Sequence, residues 1–451
     1  MRLKTIFFLY FFIKSSICKY LIYPFIQNTY DNLEDPSDIY SYLLSLEYYT
    51  NITIAEPPQT IKSYIDFTKF HFYISNVTSN KEYFLENSNS FNTEYDHDKI
   101  LYTYSFMYGK FANETLYLDL LENNSTSNQN IVHIKNFTFA MPSEHTIKNR
   151  KMFPSSIGLG FYAHNSNPTY NFLTQLKLKS VLNNTYFFFN FDDEFRGKLF
   201  LGVMPHDIYP KKYTEDKLYK VYTNIDNVLD EWSFRGELIY NRNENNMNSS
   251  INKKNMKMVL DLNLNGLIMD ISFFEKFNQT FFHDYLKNGI CKMDKDEYYY
   301  IYCEKDKINI NNFKTIYFYQ IDFNFTFSFD YKDLFIIKGN YIFFNIFFDI
   351  NGFTHLLKAG KILLKKYLMA FDYEQKMIGF YLLHPDKKGL IIEDKNNYSL
   401  ISLKIIFIFA GVLFISILII FTKYYCTNNK RKPRKNEIDE KYDYCIQNNE
   451  E

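Results

Sequence analysis

An all-β chain ending in one membrane helix is the class that three features of this sequence predict. Phe 47 and Tyr 41 make the 451 residues unusually aromatic, and aromatic side chains favour the pleated, half-buried surface of a strand. Apolar residues recur with a period of two, as in the run TIYFYQIDFNFTFSFDY from Thr315, and few stretches repeat at 3.6. Near the C-terminus, Ile405 to Thr422 carries no charge and is followed by Lys423, Lys430, Arg431, Lys432, Arg434 and Lys435. The 46% hydrophobic and 23% charged fractions are those of a globular chain. Lys+Arg and Asp+Glu are 51 each, so no whole-chain electrostatic case exists for binding nucleic acid.

Residues 1–18 read as a secretory signal. Arg2 and Lys4 flank the start of the apolar run Thr5 to Ile13, and Ser16 and Cys18 put small side chains before a cut after Cys18. About 380 residues then remain outside the membrane, more than one core usually holds. Candidate helices are short, Tyr170 to Leu176 and Ile271 to Phe277. Asn241 to Lys257 is polar and Asn-rich and reads as a disordered surface insertion. At ~1.5 Å per residue, Ile405 to Thr422 covers ~27 Å, close to the hydrocarbon thickness. The basic residues behind it give the pattern of a single-pass type I membrane protein with residues 423–451 in the cytosol. The expected location is the secretory pathway, at the plasma membrane or in an endolysosome. Cys18 leaves with the signal, and Cys426 and Cys445 fall in the reducing cytosol. Cys291 and Cys303 are therefore expected to form one disulfide. Sequons from Asn51 to Asn397 lie on the same side and would make the chain a glycoprotein.

Several chemistries have no sequence support: there is no HExxH, paired CxxC, GxSxG or GxxxxGK[ST], and the His residues are scattered. No metal site or cofactor is expected. What remains is an ordered series of short motifs. Ala55-Glu56-Pro57-Pro58-Gln59 leads to Asp66-Phe67-Thr68-Lys69. Tyr108-Gly109 follows, then Ser156-Ile157-Gly158-Leu159-Gly160-Phe161, Gly197-Lys198-Leu199-Phe200-Leu201-Gly202 and Glu231-Trp232-Ser233. Met258 to Leu264 reads MVLDLNL. Gly360, Leu363-Leu364-Lys365-Lys366-Tyr367, Ala370-Phe371-Asp372-Tyr373 and Ile378-Gly379-Phe380 close the series. In this order the motifs resemble the pepsin-like eukaryotic aspartic protease family over residues 45–383.

The resemblance implies a bilobal, pepsin-like double β-barrel, with lobes at 45–215 and 216–385. Each lobe would give one carboxylate, Asp66 and Asp261, to a cleft for a peptide or protein. Tyr108 and Gly109 would form the tip of the hairpin that closes over it. Two carboxylates sharing one proton polarise a water for attack on the peptide carbonyl, because like charges that close cannot both ionise easily. The family's Asp-Thr-Gly loops are degenerate here. The Thr that braces each loop against the other is Phe67 or Leu262. The Gly whose backbone approaches the carboxylate is Thr68 or Asn263. The hydroxyl residue that follows is Lys69 or Leu264. Losing one oriented donor commonly costs ~3–4 kcal/mol of transition-state stabilisation. The sequence thus favours a membrane-anchored, catalytically impaired homologue whose cleft binds peptide, a pseudoprotease. The alternative is an active aspartic endopeptidase of the secretory or endolysosomal pathway that uses Asp66 and Asp261. Phe67 and Leu262 are expected to meet, an apolar contact replacing the hydroxyl pair.

Overall fold

A computed structural model of the chain describes residues 19–381, except 30–32, 69, 76–82, 96–99, 103–104, 108, 123–129, 143–154, 161–169, 224–230, 240–252, 321–324 and 351–355. The expected signal (1–18), the membrane segment (405–422) and the tail (423–451) lie outside the described residues, as do Lys69 and Tyr108.

Strands dominate, as the aromatic, period-two runs demand. Those that carry the site are β1 (Lys19–Gln27), β2 (Tyr48–Ile54), β3 (Gln59–Asp66), β4 (Tyr73–Ile74), β5 (Asn130–Pro142), β6 (Ser155–Gly158), β7 (Tyr186–Phe191), β8 (Arg196–Leu201) and β9 (Leu218–Tyr222). They continue as β10 (Ser233–Ile239), β11 (Lys253–Leu260), β12 (Leu267–Asp270), β13 (Ile346–Asp349), β14 (Leu356–Ala359), β15 (Met369–Asp372) and β16 (Met377–Tyr381). Helices are short: α1 (Pro36–Leu44), α2 (Phe172–Leu178), α3 (Ser272–Phe277) and α4 (Lys361–Lys366). In α1, Asp35 caps the start by accepting from the Ser37 amide. The helices expected at Tyr170 and Ile271 begin at Phe172 and Ser272. The end of the expected insertion, residues 253–257, is part of β11.

The two sheets contain the same five-strand arrangement. In the first, the order β2-β3-β6-β4-β5 pairs antiparallel, parallel, antiparallel and parallel. In the second, β10-β11-β14-β12-β13 pairs in the same sequence of senses. A strand that ends in a carboxylate loop therefore lies beside a parallel strand twice, β3 beside β6 and β11 beside β14. Parallel pairing needs a long crossover, so each loop is built from segments distant in sequence.

A continuous run of six strands, β9-β16-β15-β7-β8-β1, extends the first sheet. The last two strands of the described chain thus pair with strands from its first half, β15 with β7 and β16 with β9. Alternation explains the core. On β2 the residues Tyr48, Thr50, Ile52 and Ile54 point inward and are buried. Cys291 and Cys303 sit opposite each other on neighbouring strands and form a disulfide, with S–S 2.00 Å and Cα–Cα 3.9 Å.

Two expectations are corrected. The chain forms two extended sheets, of thirteen and eleven strands among the described residues, and the expected pair of closed barrels is not confirmed. In the first sheet the terminal strands β9 and Asn92–Tyr95 stand at the ends of the paired order, while Gly109–Glu122 also pairs with β1 and β2. Alternation along a strand specifies which face is buried, not what meets the sheet's edge. The second correction concerns the membrane. Among the described residues, no helix is long and apolar enough to cross a bilayer. The single-pass type I topology, the membrane as a partner, and placement at the plasma membrane or endolysosome all rested on such a helix, and the described residues supply none.

Candidate active site: two carboxylate loops joined through one tryptophan

Asp66 is the last residue of β3, and Asp261 is the first residue after β11. Register places Gly158 beside Asp66 and Ala359 beside Leu260. The turns after the two carboxylates make matching bonds. The Thr68 amide donates to Asp66 Oδ1 at 3.0 Å, and the Asn263 amide donates to Asp261 Oδ1 at 3.0 Å. The Thr68 hydroxyl adds a second bond to Asp66 Oδ1, at 2.8 Å. The amide donors whose loss the missing glycines suggested are thus present. Neither Thr68 nor Asn263 has a positive φ, so the turn does not require glycine's conformational freedom.

A chain of hydrogen bonds runs from one loop to the other. The Leu159 amide donates to the Asp66 carbonyl at 2.8 Å, and Trp232 Nε1 donates to the Leu159 carbonyl at 2.9 Å. The Leu260 amide, one residue before Asp261, donates to the Trp232 carbonyl at 2.8 Å. Trp232 is the only tryptophan in the sequence and is buried. Trp232→Phe is expected to cost about 1–3 kcal/mol, because it leaves the Leu159 carbonyl without its donor in a dry environment. Urea unfolding followed by circular dichroism measures this. A variant as stable as the parent would show that the bond contributes nothing.

Asp66 is buried and Asp261 half-buried. Burial pushes the Asp261 carboxyl up to about 6 from its ordinary 3.8. Lys358 and the Asn263 amide oppose the rise, and the charges of Asp66 and Glu231 add to it. Asp66 is thus among the charges that reach Asp261. Among the described residues, no group of His, Cys, Asp and Glu is arranged to hold a metal ion.

Phe67 and Leu262 are both buried in one apolar cluster. The ring partners of Phe67 are Phe371, Phe189, Phe187 and Trp232, at centroid distances of 5.1, 6.0, 6.2 and 6.3 Å. An aromatic cage thus occupies the place where the resemblance implied a hydroxyl. Gly109 begins strand Gly109–Glu122 and sits opposite Pro142.

Sequence reasoning passed over three contributors. Lys358 and Glu231 act on Asp261 through their charge. The stretch Leu43–Leu46 bonds to the second loop: the Asn265 amide donates to the Leu43 carbonyl at 2.9 Å, the Leu46 amide to the Asn263 carbonyl at 2.5 Å, and Asn263 Nδ2 to the Leu46 carbonyl at 2.9 Å. The available signal was a charged residue inside an apolar run, as in LLKAGKILL from Leu356 to Leu364.

No family model matches the chain, and no curated protein matches it by sequence. Among solved structures, basic 7S globulin from soybean is similar at 14% identity with a TM-score of 0.58. The match covers 80% of this chain and 94% of that one. Conglutin gamma, a basic 7S globulin from lupine seeds, is similar at 12% identity, with the same TM-score and coverages. At these identities the likeness is one of fold alone.

Proposed function

We propose that this chain binds an extended peptide or protein segment across the Asp66 and Asp261 loops and cleaves it poorly or not at all. One observation carries the reading: where hydroxyl bracing would be needed, Phe67 and Leu262 are apolar and buried. Hydrolysis requires both carboxylates to be held to ~0.5 Å around a shared water, and two missing donors at ~3–4 kcal/mol each would slow it severely. Binding tolerates that loss, because strand-like main-chain bonding to a peptide does not depend on the carboxylate geometry. The two solved structures described above are named as globulins, and a fold hosts more than one function.

A second reading, an acid-range aspartic endopeptidase, is favoured by the retained amide donors to both carboxylates and by the raised Asp261. Incubating the purified full chain with a mixed peptide library at pH 4–6 separates the two readings. The expected outcome is a change in Trp232 emission on peptide addition, with the peptides recovered intact. Cleavage that disappears in Asp66→Asn would overturn the first reading in favour of the second.

A further inference from the structure

Lys361 is a buried cation remote from the catalytic chemistry that the sequence suggests. It is the first residue of α4, and only 4% of it is exposed. Its Nζ donates to Gln27 Oε1 at 2.7 Å and to the Glu194 carbonyl. Gln27 ends β1, and Glu194 lies in the turn between β7 and β8, so both partners belong to the first sheet. The backbone of Lys361 faces the other way. Its amide donates to the Leu264 carbonyl at 2.7 Å, the Ile362 amide to Asn265 at 3.1 Å, and the Asp261 amide to Ala359 at 3.0 Å. One residue therefore holds the Asp261 loop by its main chain and the first sheet by its side chain.

The bonds continue into a closed ring. Gln27 Nε2 donates to the Tyr42 hydroxyl of α1 at 2.5 Å. The far end of α1 returns to the Asp261 loop through Leu43 and Leu46, as described above. The circuit is thus Asp261 loop, Lys361, Gln27, Tyr42, Leu43–Leu46 and back to Asn263 and Asn265.

We propose that Lys361 is a positioning residue for Asp261, closing a ring of hydrogen bonds that fixes the second carboxylate loop against the first sheet. The proposal rests on the reading of Asp66 and Asp261 as the working pair. The ammonium is faced by Glu194, Asp193 and the Phe195 ring (5.7 Å) from the β7–β8 turn, and by Lys365 from its own helix. Tyr42 of α1 reaches it through Gln27. Burial pulls Lys361 down to about 8, against which Glu194 and Asp193 work. Lys361 is not among the charges that set the Asp261 carboxyl, so any effect on Asp261 must travel through loop position.

The test follows the Asp261 carboxyl carbon by NMR from pH 4 to 8 in the full chain, in Lys361→Met and Gln27→Leu. Each variant should admit water to the loop and lower the Asp261 pKa by about one unit, a tenfold change in proton affinity. The double variant should shift it no further, because both substitutions break one ring. Should Lys361→Met fail to fold, Gln27→Leu alone decides. A folded variant in which Asp261 titrates as in the parent overturns the proposal, as do additive shifts. Absence of peptide binding by the parent would overturn the earlier reading and leave these shifts still interpretable.

Discussion

Gly360→Ala is expected to destabilise the chain by about 4 kcal/mol or more, the largest single-residue effect foreseen in the second sheet. A β-carbon at Gly360 would stand 2.0 Å from the Leu264 carbonyl oxygen, 2.6 Å from its carbon and 2.9 Å from the Gly266 oxygen. These are backbone atoms of the Asp261 loop, and no rotamer change relieves the clash. The loop itself would have to move, and with it the bonds from Gly360 to Gly266 and from Lys361 to Leu264. Gly289 is the control. Nothing lies within 4 Å of its added β-carbon, and only its φ of +69° opposes substitution, so alanine there should cost about 1 kcal/mol. Chemical denaturation of the two variants beside the parent measures both. A Gly360→Ala protein within 1 kcal/mol of the parent would mean that the loop packing described here is wrong.

Asp261→Asn is expected to stabilise the fold at pH 7, against the usual effect of altering a polar residue in a functional site. The folded chain holds the Asp261 proton more tightly than the unfolded chain does, with a pKa of about 6 against 3.8. The stability linked to that proton is fully present below pH 3.8 and is lost as pH rises through about 6. Two units correspond to at most about 3 kcal/mol, and about 2 is expected because the group is partly open to water. The asparagine keeps the acceptor for the Asn263 amide and carries no charge to bury. The variant should therefore exceed the parent by about 2 kcal/mol at pH 7 and match it near pH 3.5. Equal differences at the two pH values would remove burial as the cause of the shift.

Both predictions concern one loop, and both depend on contacts that span most of the chain. Asp66 and Asp261 were singled out because the motifs around them resemble, in order, those of the pepsin-like family. The loss of the family's Asp-Thr-Gly order after each of them was legible too. What could not be read was whether the amide donors survived that loss. The strands that lead into Thr68 and Asn263 lie beside the parallel strands β6 and β14, which come from far along the chain. The same holds for Trp232, whose position in the sequence marked a boundary but whose indole N–H turned out to join the loops.

By itself, the sequence determined the strand-rich class, the two carboxylates and the pair of cysteines. Each is a local property: side-chain alternation on a pleated strand, and the presence of a given functional group. The tertiary structure alone decided which strands pair, that an aromatic cage surrounds Phe67, and that Lys361 reaches Gln27 across 334 positions. Burial and electrostatic reach are properties of neighbours in space, and in this fold the neighbours of each carboxylate come from strands far away along the chain.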